Sequence, residues 1–210
     1  MTAAPPRNRL VTFTPEDLAA RVSEALDIYV AAMGYPRSTA RMRRTLWLDH
    51  ARRPGWRARG WIDPAGSLLG IAYGYGGGAG QWWYDEVRRG MREDPAAGYW
   101  LNDYFELTEL HVRPDAQGSR LGEGLLRGLL ADTGRSKVLL STPEYGDAPP
   151  GRAWRLYRRT GFRDLLRHHR FTGDARPFAV LGRPLPLDPP PDQQPPDRPL
   201  HPSFDTHPHG

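Results

Sequence analysis

Gln117-Gly118-Ser119-Arg120-Leu121-Gly122-Glu123-Gly124 is the stretch on which the reading of this chain turns. It follows a strand-like segment, Tyr104 to Val112, that Arg113-Pro114 ends. It opens a helix striped by Leu121, Leu125 and Leu129, with Leu126 and Leu130 beside the stripe. A turn between a strand and a helix start presents backbone N–H groups and the positive end of a helix dipole, both suited to a phosphate or pyrophosphate. Glycines let the main chain come close to such a group. No Gly-Lys-Ser/Thr closes the run, so it is not a Walker A loop, and it lacks the G-x-G-x-x-G spacing of a dinucleotide site. On its own it is equally consistent with a plain strand-to-helix turn.

Upstream, Arg9 to Thr14 alternates as a strand. Thr14 then reads as an N-cap, with Pro15 at the first helical position and Glu16 and Asp17 in the first turn. Leu18, Val22, Ala25 and Tyr29 share a helical face, and Gly34 and Pro36 end the helix. A second helix is predicted from Thr39 to about Arg53, its Arg41, Arg43, Arg44, Arg52 and Arg53 read as a solvated basic face. Trp56 to Ile62 reads as a strand and Asp63-Pro64-Ala65-Gly66 as a turn. Leu69, Ile71, Tyr73 and Tyr75 alternate with Gly70, Ala72 and Gly74, which predicts an antiparallel hairpin strand with one bulky and one small face. Gly76-Gly77-Gly78 breaks the pattern before a helix from Gln81 to Arg92 that carries Trp82, Trp83 and Tyr84. Downstream, Gly134 is a stop, Lys137 to Ser141 a buried strand and Arg152 to Thr160 a helix closed by Gly161, with Phe162 packing back. Phe162 to Arg170 and Pro177 to Leu181 are the last strands.

These elements fill one domain over residues 9–183, with 76–103 as an insertion. Residues 1–8 are expected to be flexible, and the Pro-rich stretch 184–210 is expected to be a disordered tail. The chain has no cysteine, which removes disulfides, thiolate zinc sites and a cysteine nucleophile. No secretory signal and no apolar run of membrane length is visible, so a cytoplasmic location is expected. Net charge is +5, but Lys137 is the sole lysine and the arginines are spread along the chain. That distribution resembles compositional bias more than a nucleic-acid footprint. His168 and His169 are adjacent in a predicted strand, face opposite ways and cannot chelate one metal together.

Two further motifs stand at fixed places around the glycine run. Leu110-His111-Val112-Arg113-Pro114 ends the strand before it, and Ala153-Trp154-Arg155-Leu156-Tyr157-Arg158-Arg159-Thr160-Gly161-Phe162 follows it. In this order the three segments resemble the GNAT superfamily of acyl-CoA-dependent N-acyltransferases. That family's loop is Gln/Arg-x-x-Gly-x-Gly/Ala, flanked by Leu-x-Val-x-Pro before and Ala-x-x-Leu/Tyr-Tyr-x-x-x-Gly-Phe after. The resemblance spans about residues 9 to 183 and is specific from about 104 to 162. Arg120 departs from it, standing where the family usually has its first motif glycine, and Pro150 stands where many relatives have asparagine.

The resemblance implies an α+β sandwich: a mixed, mostly antiparallel central sheet with splayed fourth and fifth strands, flanked by helices. It implies transfer of an acetyl group from acetyl-CoA, a co-substrate, to a primary amine of a small molecule or protein, by direct attack in a ternary complex and without a metal. A non-catalytic acyl-CoA-sensing module on the same fold is the alternative, with Arg120 as the argument for it. Backbone of Leu110, His111 and Val112 would pair with pantetheine, and the amides of Gln117, Gly118, Ser119, Arg120, Leu121 and Gly122 would hold the pyrophosphate. An N–H near Leu110 would polarise the thioester carbonyl. Homodimers are common in the family.

The chemistry also needs a base, because an alkylammonium with a pKa of about 10 must lose a proton before it attacks. Strict alternation puts Glu106 on the face of Leu110, and Glu109 with His111 on the other. The histone-acetylating branch of the family carries its base at the offset of Glu106, which is favoured here, while relatives often place an acid at the position of Glu109. The resemblance also brings a bulge in this strand that re-aims side chains. Tyr157 matches the family's general acid. Trp82, Trp83 and Tyr84 lie in the insertion and are candidates for walling an acceptor pocket, with Tyr99, Trp100 and Tyr104 as further members.

Overall fold

The computed structural model describes residues 7–144 and 151–190. Its strands are β1 (Arg9–Phe13), β2 (Arg57–Ile62), β3 (Leu68–Gly76), β4 (Tyr104–Val112), β5 (Lys137–Pro143), β6 (Arg163–His169) and β7 (Phe178–Pro184). They form one seven-stranded sheet in the order β1-β2-β3-β4-β5-β7-β6. Every neighbouring pair is antiparallel except β4 with β5. The helices are α1 (Pro15–Met33), α2 (Ser38–His50), α3 (Trp82–Gly90), α4 (Ala97–Trp100), α5 (Leu121–Leu130) and α6 (Arg152–Arg159). The mixed, helix-flanked sheet expected from the sequence is the one observed.

Local chemistry sets the ends of α1. Thr14 Oγ1 accepts the Asp17 N–H at 3.1 Å, and Asp17 Oδ2 accepts the Thr14 N–H at 2.9 Å, a closed capping box. Gly34 stops the helix with φ +67°. The apolar stripe Leu18, Val22, Ala25 and Tyr29 packs with Trp47 of α2 on one face of the sheet, over Phe13, Ala58, Ile71 and Tyr73. The leucine stripe of α5 packs on the opposite face, against Ala72, Phe105, Leu107 and Val138.

The bulky and small faces of β3 are therefore divided between the two helix layers. A Cβ on Gly74 would lie 2.1 Å from the Glu106 carbonyl oxygen, so the small face is a steric requirement. Leu69 differs from its expected side. A register shift at Ile62 gives Leu68 the strand partner and sends Leu69 to the α5 cluster. The insertion packs α3 and α4 through Trp83, Val87, Met91 and Trp100 onto Tyr104, Leu139 and Val180.

The feature that positions the site is the parting of β4 from β5. They pair at Tyr104 with Lys137, Phe105 with Val138 and Glu106 with Leu139, and no further. β5 stays bonded along its length to β7, and β4 to β3. Leu107–Val112 and Leu140–Pro143 are left flanking a gap. Packing also continues past the expected boundary at residue 183. Leu185 and Leu187 sit against the α5 cluster, and Arg127 Nη1 donates to the Asp188 carbonyl at 2.7 Å. Two leucines, with hydrogen bonds from Arg127 and Arg183, hold a segment whose prolines dominate its average composition. The rest of the expected tail, the first six residues and Pro150 lie outside the described residues.

Candidate active site

A cleft of about 1440 Å3 fills the gap and continues to the start of α5, to α6 and to the α1–α2 layer. At its α5 end, Gln117 Nε2 donates to the Val112 carbonyl at 3.0 Å and ties the glycine run to the end of β4. Arg120 is the N-cap of α5 and adopts φ +57°, ψ 11°, the left-handed region that favours glycine. Holding a side chain there costs roughly 1–2 kcal/mol. The loop thus follows the backbone path a glycine would take, and the departure from the family pattern leaves that path intact. The first intrahelical bond is Gly124 N–H to Arg120 C=O at 3.1 Å. The amides of Leu121, Gly122 and Glu123 precede it and have no partner within the helix. A Cβ on Gly122 would meet nothing closer than 3.6 Å. Internal packing therefore does not demand that glycine, whereas close approach of a ligand to the main chain would. Arg120 is exposed at the cleft, and Arg152 of α6 lies over Gly118, its Nη1 3.6 Å from where a Cβ would stand. Amides, dipole and two guanidiniums suit a pyrophosphate.

Along the gap, hydrogen-bond phase decides which groups of β4 are free. Arg113 N–H donates to the Leu69 carbonyl at 2.8 Å. Antiparallel alternation then turns the backbone of His111 and Glu109 to β3, and that of Leu110 and Val112 to the gap. Of the three residues expected to offer main-chain contacts there, Leu110 and Val112 are so placed. The His111 main chain is committed to Ile71.

A bulge settles the carboxylates. Tyr73 pairs with Glu109 and Gly74 with Leu107, leaving Thr108 without a partner. Paired residues share a face, and Tyr73 and Tyr75 are two apart on β3. Glu106, partner of Tyr75, and Glu109, partner of Tyr73, therefore lie on one face, toward α1 and α2. This corrects the expectation that they oppose each other. It also parts Glu106 from Leu110, which packs with the α5 cluster.

Glu106 is 4% exposed. Tyr75 Oη donates to its Oε1 at 3.0 Å, while Oε2 is buried and has no partner among the described residues. Burial raises its pKa from 4.5 to about 7, against the opposing pull of Tyr75 and Arg53. Glu109 Oε2 lies 2.6 Å from His111 Nε2. The His111 ring sits edge-on to Tyr29 at 5.0 Å and near-parallel to Trp47 at 6.5 Å. His50, whose Nδ1 is 3.1 Å from Tyr73 Oη, is lowered to about 4, first by burial and then by Arg53. It is neutral across the physiological range.

Tyr157 lines the cleft from α6 and packs its ring 5.4 Å from Phe162. Burial and the charge of Glu109 push its hydroxyl well above the ordinary tyrosine value, so it keeps its proton. In the insertion, Trp82 is 54% exposed at the cleft and rests on Phe171, and Trp83 lines it with Nε1 donating to Ser141 Oγ at 3.2 Å. Tyr84 does not reach the cleft. Two helical steps from Trp82, it is turned to a shallow groove between α3 and α4. Tyr104 and Trp100 are buried in the core, and Tyr99 lies on the far surface under Lys137. His168 is exposed beside Glu144 and His169 packs on Phe171, so they diverge as expected. Among the described residues there is no cluster of three or more His, Cys, Asp or Glu side chains placed to hold a metal ion.

Tyr75, His50, Arg53 and Tyr29 escaped sequence reasoning as site residues. The tyrosines stood out only as the bulky side of an alternating strand or a helix face, a pattern that equally describes core. No helix among the described residues is long and apolar enough to cross a membrane.

No protein-family model matches the chain. It is 43% identical over 203 residues to the GCN5-like protein acetyltransferase Rv2170 of Mycobacterium tuberculosis, covering 85% of this chain and 98% of that protein. A GNAT-family protein from Desulfovibrio desulfuricans superposes with a TM-score of 0.60 at 16% identity, over 84% of this chain and 98% of that one. The PaiA N-acetyltransferase of Thermoplasma acidophilum, solved in complex with coenzyme A, gives 0.54 at 12% identity, over 85% and 99%.

Proposed function

The chain belongs to the GNAT superfamily of acyl-CoA-dependent N-acyltransferases, and from that premise we propose that it acetylates a primary amine by direct attack, with Glu106 as base and Tyr157 as acid. The observation that carries the reading is a buried carboxyl at the mouth of the β4–β5 gap, with one oxygen fixed and the other unpartnered among the described residues.

Acetyl-CoA supplies a thioester carbonyl and a thiol leaving group. The amides of the 117–122 loop, with Arg120 and Arg152, would hold its pyrophosphate. The Leu110 carbonyl and the Val112 N–H would be open to the pantetheine arm, the Val112 carbonyl being taken by Gln117, and the Leu110 N–H would donate to the thioester oxygen. A donor so placed is worth on the order of a hundredfold in rate.

Glu106, with a pKa of about 7, takes the proton of the incoming ammonium. A base titrating near the working pH gives general catalysis of about 10²–10⁴-fold. Glu109, anchored by His111, faces the same space and stabilises the ammonium before it gives up that proton. Tyr157, held neutral, donates its hydroxyl proton to the departing sulfur as the C–S bond breaks, and recovers a proton from the second one the amine nitrogen loses in becoming an amide. The Mycobacterium tuberculosis relative is named a protein acetyltransferase, which favours a protein amino group over a small amine as the acceptor.

Thiol release from acetyl-CoA with a panel of amines and peptides tests the proposal. Glu106→Gln should lower kcat/KM at least a hundredfold and abolish an acidic limb near pH 7, while Glu109→Gln keeps that limb. If both variants stay within a few-fold of wild type, neither carboxylate is the base.

A further inference from the structure

Arginines around the cleft divide into two kinds. Arg127 and Arg159 bond Glu123, and Arg176 bonds Asp174 and Tyr35. Arg43 and Arg53 also line the cleft and are half-buried, yet among the described residues neither guanidinium has a hydrogen bond or an ion pair at contact distance; Arg53 acts on Glu106, and Arg43 on Asp174, only through space. Arg53 lies 4.5 Å over the Tyr75 ring, whose hydroxyl holds Glu106. Arg43 is near enough to Tyr29 and Tyr73 for its charge to favour their ionised forms. Arg43, Leu46 and His50 recur at helical spacing on α2, with Arg53 one step beyond, so one stripe faces the cleft. Arg120 and Arg152, at the α5 end, already account for the pyrophosphate. Arg43 of α2 and Arg53 just past its end stand on the other side, with the carboxylates.

A half-buried guanidinium with no directly bonded counterion keeps its donors open to an anion on a ligand in the cleft. Both signs of charge thus face the acceptor: Glu106 and Glu109 for its amine, Arg43 and Arg53 for something negative. We propose that the acceptor is a primary amine carrying a carboxylate, received by Arg43 and Arg53 while the amine meets Glu106 and Glu109. This rests on the reading of Glu106 as the base of acetyl transfer. A lysine among basic neighbours, or a polyamine, would place a second cation against the arginines and is selected against.

The test compares matched acceptors with acetyl-CoA saturating: a lysine peptide flanked by aspartates against one flanked by arginines, and an ω-amino acid against its carboxamide. The acidic or carboxylate-bearing member of a pair should have a kcat/KM higher by at least about tenfold. Preference within the peptide pair alone identifies a protein segment as source, and preference within the small pair a free amino acid. Arg43→Glu should erase or reverse the ratio and leave acetyl-CoA affinity unchanged. Equal use of both members, or a ratio that Arg43→Glu leaves within twofold, overturns the proposal. Calorimetry of the same acceptors on the protein loaded with coenzyme A separates this idea from the reading beneath it. Tighter binding of the acidic member without turnover upholds charge selection and sinks the catalytic assignment. Turnover without a binding or rate preference does the reverse.

Discussion

Glu106 is a carboxyl kept from water on a strand that opens onto a cleft, and its titration couples chemistry to stability. Folding raises its pKa from an ordinary 4.5 to about 7, so the folded state holds a proton that the unfolded chain releases. That contribution is complete below about pH 4.5 and is lost as pH rises through 7. Glu106→Gln stays neutral throughout. Its stability relative to wild type should therefore improve by up to about 3 kcal/mol between pH 4.5 and 8, then level off, as denaturant melts at several pH values would show. A flat difference would mean that Glu106 is ionised and solvated. His50 acts in the other sense, because its lowered pKa costs stability as pH falls from 6.5 toward 4. Tyr157→Phe should cut kcat tenfold or more and leave the acetyl-CoA Kd almost unchanged, since the hydroxyl is assigned to the leaving group alone. These side chains were partly legible in the sequence. Tyr157 was proposed from the motif match, and Glu106 from a shared face with Leu110 that the bulge removes. The partnership of Tyr75 with Glu106 was not, because it joins residues distant in sequence through strand register.

Elements carried the clearest sequence signals, and their exceptions have physical causes. The strand Tyr104–Val112 was readable to its ends, and α1 was marked by its cap and by Gly34. What alternation missed was the bulge at Thr108, since an inserted residue leaves no trace in apolar periodicity. Yet it is this bulge that gathers Glu106 and Glu109. Gly74 permits it, being the residue against which the Glu106 carbonyl closes. Gly74→Ala should destabilise the protein by about 1–3 kcal/mol and depress kcat more than acetyl-CoA affinity, as melts and kinetics would report. Arg120 makes an independent case. Arg120→Gly should be more stable than Arg120→Ala by about 1 kcal/mol, because only glycine occupies φ +57° without strain. Equal stability of the two variants would show that the loop relaxes.

At the scale of the molecule, one sheet serves two tasks by splitting. α5 and α6 bound the gap on one side, and α1, α2 and the insertion bound it on the other. The β4–β5 gap joins the two sides. This arrangement was legible only as the implication of a family resemblance, because no local pattern announces where two parallel strands stop pairing. The packing of Leu185 and Leu187 beyond the expected domain edge has the same origin, as its partners lie far away in sequence. The measurement that bears most directly on the account is a crystal structure with coenzyme A bound. The account predicts pyrophosphate oxygens at hydrogen-bond distance, about 3 Å, from amides of the 117–122 loop, with pantetheine along Leu110 and Val112 in the gap. Coenzyme A bound elsewhere, or a gap closed by β4–β5 pairing beyond Glu106, would contradict it.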